Sequence, residues 1–263
     1  MVPESKSRRE TGTPKEDRSP KMGDATESKP IILHFGDHCG PGIIICDILG
    51  KKETVLFQLG NFPFNGILDV LREGNFSELT AAKYLATEDW KPITKVESTL
   101  QRHAHVSVVR HLKYRDISFV HDFLLEDGAV KNHAFICKMF EEKVASFLNK
   151  IQDPAPKILI NFTELPQRLR ILEAVGFLRA RVKGKFRLLI FSPPTAPQPQ
   201  LSAELKESVT LVRLQRDYGG WWTKSETERT EIFRHIYSCF LAAVPEFAFP
   251  VWEETPYMKG LKK

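Results

Sequence analysis

Residues 157–194 read KILINFTELPQRLRILEAVGFLRARVKGKFRLLIFSPP, and this stretch decides the fold. KILINFT is an apolar run of strand length, the pattern of a strand buried on both faces. LPQRLRILEAVGF carries helical spacing, with Gly176 near its expected end. FRLLIFSP is a second apolar strand, closed by Pro193 and Pro194. Downstream come a Pro-rich loop, TAPQPQLSAEL, and a third strand, VTLVRLQ. SETERTEIFRHIYSCFLAAVPEF then reads as a long amphipathic helix. Ser225 is its N-cap, and Glu228 three residues on completes a capping box. Strand, helix, strand, loop, strand and helix in this order predict an α/β class, a layered sheet flanked by helices.

Upstream, AVKNHAFICKMFEEKVASFLNKIQ is the clearest helix. Phe135, Met139, Val144, Phe147, Leu148 and Ile151 mark its expected apolar stripe, and Pro154 and Pro156 end it. IILHFG reads as a strand ended by Gly36. PGIIICDILG follows as a helix from Gly40 or Pro41, since Pro fits a first turn. TVLFQLG reads as extended. NFPFNGILDVLREGNF reads as a loop and then a helix from about Asn65, with Asn65 as N-cap and Gly74 as stop. SELTAAKYLAT is expected to be helical. STLQRHAHVSVVRHLKY alternates like a strand, and DISFVHDFL is a short strand with His121 near its end. Residues 1–29 are polar and charged with almost no apolar side chains, so a disordered tail is expected there. Residues 30–263 then form a single α/β domain.

The formal charge of +5 is spread widely, and the first 29 residues contribute +1 of it. That argues against a dedicated nucleic-acid binder, which concentrates its basic residues on one face. No apolar run approaches membrane-spanning length, and the N-terminal stretch lacks the apolar core of a secretory signal, so a cytoplasmic protein without membrane partners is expected. The four cysteines, Cys39, Cys46, Cys137 and Cys239, show no C-x-x-C pair. Free thiols are therefore expected, and neither a metal nor another cofactor is called for. His103 and His105 alternate as if on one strand face, with no third ligand at useful spacing.

The chemistry-bearing segment is HFGDHCGPGIIICDIL, residues 34–49. Cys39 falls between a strand and a helix start, where peptide dipoles stabilise a thiolate. Gly36, Gly40 and Gly42 allow close backbone approach, and free N–H groups near Cys39 and Gly40 suit an oxyanion. The alternative is a small buried cysteine in a tight turn. A thiol nucleophile needs a base held by a third group. His38 adjoins Cys39 in sequence, but neighbours on a turn often point apart. His121 in SFVHDF is the better candidate, with Asp122 or Asn161 to orient it. The alternative for His121 is a core histidine.

Three motifs carry a resemblance. Gly36 and Cys39 form the first, Pro63 and Phe64 the second, and Phe119, His121 and Asp122 the third. In that order and spacing, over residues 31–195, the chain resembles a little-characterised family classed as papain-like cysteine peptidases. Asn65 and Gly66 stand where that family usually has Asp and Trp. The resemblance implies Cys39 as nucleophile and His121 as base of a cysteine-dependent hydrolase or transferase acting on a protein or a small molecule. Gly36, Asp37, His38 and Gly40 would line the substrate site from the first motif. Asn61, Phe64 and Asn65 would line it from the second. Trp221 and Trp222, after Gly219 and Gly220, would add an aromatic lip, or else plug a strand–helix junction. Two other readings stay open: a non-catalytic interaction module that keeps the fold, and a nucleotide or sugar-phosphate binder at the Gly-rich turn.

Overall fold

The computed structural model describes residues 29–36, 40–51, 56, 62–86, 109–114, 116–119, 123, 125–126, 129–130, 132–216, 218 and 221–261. Its elements in chain order begin with β1 (Ile31–His34), α1 (Pro41–Ile48) and α2 (Phe64–Glu73). Two 3-10 turns (Phe76–Thr80 and Ala82–Tyr84) lead to β2 (Leu85–Ala86), β3 (Val109–His111), β4 (Ser118–Phe119), β5 (Leu125–Glu126) and β6 (Ala129–Val130). The rest runs α3 (His133–Gln152), β7 (Lys157–Phe162), α4 (Arg168–Arg181), β8 (Phe186–Ser192), α5 (Ala203–Lys206), β9 (Val209–Arg213), α6 (Glu226–Ala243) and α7 (Pro256–Leu261).

The main sheet has the order β1-β7-β8-β9, with every pairing parallel. All six residues of β7 are buried, as its unbroken apolar run requires. Alternation sends Ile158, Ile160 and Phe162 to one face and Leu159 to the other. On the first face they meet Ile44, Ile45 and Ile48 of α1 and Ile232, Phe233, Ile236 and Phe240 of α6. On the second, Leu159 meets α2, α3 and α4 through Ile67, Phe147, Ile171 and Leu178. Each such side chain contributes about 1.5–3 kcal/mol when fully buried. Both faces of the sheet are thus covered, giving a layered α/β architecture beside a small antiparallel sheet, β2-β3-β4.

The N-terminal stretch through residue 28 and the His103 and His105 pair lie outside the described residues, as does all of TVLFQLG except Leu56. Elsewhere the structure corrects four details. The second helix begins at Phe64 with Pro63 as its N-cap residue and no side-chain cap, so Asn65 lies within the first turn. SELTAAKYLAT is two 3-10 turns and a strand, because Ala81 is extended and Leu85 pairs with His111. The α3 stripe is shifted: Ile136, Phe140, Phe147 and Ile151 are buried, while Phe135 is 68% and Leu148 37% exposed. Gly176 lies inside α4 with open space around it and costs the helix only about 1 kcal/mol against Ala. The capping box of α6 is present, with Glu228 N–H donating to Ser225 Oγ and Ser225 N–H to the Glu228 carboxylate.

Candidate functional site at the carboxyl end of the sheet

Parallel sheets gather ligand-binding loops at the carboxyl ends of their strands. Here that edge collects Gly36 and Gly40 after β1, Asn161 to Thr163 at the end of β7, and Tyr218 and Trp221 after β9. Gly36 has φ +87, and an added Cβ would lie 1.6 Å from Ile67 Cδ1 and 2.7 Å from the Phe62 carbonyl. Only glycine meets both demands. Gly40 is the N-cap of α1, with Pro41 in the first helical position. A Cβ on Gly40 would sit 3.2 Å from the Tyr218 hydroxyl, and the Tyr218 ring packs edge-on to Phe162 at 4.9 Å.

Asn161 ties the edge together. It is fully buried. Its Nδ2 donates to the Phe35 carbonyl at 2.7 Å and to the Gly36 carbonyl at 3.4 Å. Two carbonyl partners require the amide nitrogen on that side. Oδ1 therefore points elsewhere as an acceptor, and it has no hydrogen-bond partner among the described residues. Asn161 thus fixes the exit of β1 and holds one buried acceptor in reserve.

Of the other expected site residues, Phe64 is buried with its ring edge-on to Phe35 at 6.3 Å, and Asn65 is half-buried beside it. Trp221 packs on Phe233 at 5.3 Å, at the junction between β9 and α6. Asp37, His38, Cys39, Asn61, His121, Asp122 and the Trp222 side chain lie outside the described residues. The described flanks of the Cys39 and His121 segments meet on one residue. Phe62 presents its carbonyl to Gly36 and its ring to Phe119 at 5.8 Å.

Two arrangements were not anticipated from the sequence. His111 is buried between Tyr84 and Tyr114, with ring centroids at 5.6 and 4.8 Å. Its Nε2 donates to the Glu78 carbonyl at 2.9 Å, and its Nδ1 accepts from the Tyr114 N–H at 2.9 Å. Both bonds suit the neutral ring, and burial holds its pKa below the ordinary imidazole value. Next to it Lys113 bridges Glu73 and Glu78, and the Lys113 contact pulls the Glu73 carboxyl below its usual range. The second arrangement is a pair of His-x-x-x-Cys spacings, at His133 and Cys137 and at His235 and Cys239. The spacing was legible; the carbonyls and amides that orient the rings come from distant segments. A groove of about 310 Å³ lies along α6, lined by Glu226, Thr227, Thr230, Glu231 and Arg234, and all five belong to one helix face. No described helix is long and apolar enough to cross a membrane.

No protein-family model, curated protein or solved structure matches this chain.

Proposed function

We propose that the protein is a cysteine-dependent hydrolase or transferase with Cys39 as nucleophile and His121 as base. The observation that carries this reading is Asn161. Its Nδ2 is committed to the Phe35 and Gly36 carbonyls, and its buried Oδ1 is left as an acceptor at the carboxyl end of the sheet. An amide oxygen held in this way suits an imidazole N–H and stabilises the ring as it takes up a proton. Asn161 is favoured over Asp122 for this role on that ground. The shared contact of Gly36 and Phe119 with Phe62 adds support, since Cys39 and His121 follow those two residues closely in the chain.

In this mechanism Cys39 Sγ attacks a carbonyl carbon while its proton passes to His121. Backbone N–H groups near Gly40 stabilise the oxyanion. His121 returns the proton to the leaving group, and water or another acceptor then releases the acyl group from sulfur.

The test is carbamidomethylation of the Cys39 peptide by iodoacetamide, followed by mass spectrometry. Reaction is expected already at about pH 6, slowing about tenfold in His121→Ala, with Cys39→Ser as the blank. A Cys39 that reacts only in denaturant overturns the catalytic reading.

A further inference from the structure

Away from the sheet edge, a thiol, an imidazole and a carbonyl meet where α3 begins. His133 Nε2 lies 2.6 Å from the Thr80 carbonyl oxygen. A carbonyl only accepts, so Nε2 carries the proton and Nδ1 keeps its lone pair in the neutral ring. Cys137, one helical turn on, has its Sγ 3.7 Å from Nδ1, 3.6 Å from Nε2 and 3.9 Å from the Thr80 oxygen. The ring stacks on buried Phe123 with centroids 6.5 Å apart, which limits its rotation. Cys137 and His133 are both half-buried, so a small reagent has access to them. A thiol beside a base whose tautomer is set by a third group is the arrangement that activates sulfur.

The chain contains its own control. His235 and Cys239 have the same spacing on α6, with Sγ 3.8 Å from Nε2. There the nitrogen facing the sulfur already accepts the Gln215 N–H at 3.2 Å. Burial pushes the Cys239 thiol up and the His235 imidazole down, and Arg216 lowers the imidazole further. Both shifts oppose a charge-separated pair. One spacing thus produces an available base in α3 and an occupied one in α6.

We infer that Cys137 is a modification site for hydroperoxides, with His133 as its general base and the Thr80 carbonyl as the group that orients the base. The thiol proton passes to His133 Nδ1 as Sγ attacks one peroxide oxygen. The O–O bond breaks, and the leaving hydroxide takes the proton from Nδ1. Thiol and hydrogen peroxide become sulfenic acid and water, with sulfur oxidised and peroxide reduced. For this step the Cys137 S–H, which faces the Thr80 oxygen at 3.9 Å, has to turn toward Nδ1.

The test treats the full chain with hydrogen peroxide, traps sulfenic acid with dimedone and reads each cysteine peptide by mass spectrometry. Cys137 is expected to be labelled about a hundredfold faster than Cys239, the lower end of what a positioned base supplies. His133→Gln keeps a donor for the Thr80 carbonyl but removes the base, and it should bring the Cys137 rate down to that of Cys239. Equal rates for the two cysteines in the unmodified chain overturn the inference, whether or not the variant folds. A folded His133→Gln chain with an unchanged Cys137 rate does so too. The Cys39 peptide reports on the earlier proposal separately, so either can fail alone.

Discussion

Strand β7 buries a polar side chain at each end, and the two ends behave differently. Lys157 and Asn161 are both fully buried and, four residues apart, share one face of the sheet. At the amino end the Lys157 ammonium donates to the Asp153 and Lys183 carbonyls, closing the loops that lead into β7 and β8. Burial still holds its pKa below the ordinary lysine value. At the carboxyl end the Asn161 amide satisfies Phe35 and Gly36 but leaves Oδ1 without a partner among the described residues. A buried polar atom that has found partners is architecture, whereas one with none among the described residues is a place to look for chemistry. The second description fits the end where the sheet topology puts ligands.

The harshest test of the carboxyl end is Gly36→Ala. It forces a Cβ into the Ile67 side chain at a left-handed φ, so a loss of about 3 kcal/mol or more is expected in urea unfolding. A comparison of Asn161→Leu with Lys157→Met then sets the two ends side by side. The Leu variant removes the buried amide donor from the Phe35 and Gly36 carbonyls and should cost about 2–3 kcal/mol. The Met variant keeps the stem packing and removes a desolvated charge, so about 1 kcal/mol or less is expected. Equal losses at the two ends would erase the distinction. The smallest effect concerns His111, a third buried polar group, with both ring nitrogens bonded. Its imidazole stays neutral in the fold while the unfolded chain takes up the proton first. Stability is therefore complete above the unfolded value of about 6.5 and declines as pH falls below it. Urea midpoints between about pH 7.5 and 5 should show this slope, shallower in His111→Gln.

The regular half of the fold was legible because each strand there is a continuous apolar run between helices with helical spacing. KILINF and FRLLIFS contain their own evidence of burial. The segment from Phe76 to Val130 was not, because its described strands are two or three residues long and owe their form to tertiary contacts. The α3 stripe was misread by one position at Phe135, since Phe135 and Ile136 offer equal hydrophobicity and only the packed partner chooses between them. Asn161 stood out as a polar residue within KILINF, but its bonds to Phe35 and Gly36 could not be read locally. Cys39 and His121, prominent in the sequence, lie outside the described residues.

The strand order has a kinetic consequence. Strand β1 is an edge strand whose sheet partner is β7, and the Asn161 to Phe35 bond joins residues 126 apart in the chain. Loop closure over that length is entropically costly, whereas β7, β8 and β9 pair over short connections. On a ribosome the segment before the Gly-rich turn emerges first and docks late. The proposed catalytic turn is completed only after Asn161 has been synthesised and its strand has joined the sheet, so a nascent or truncated chain ending before that residue lacks the anchor that shapes it.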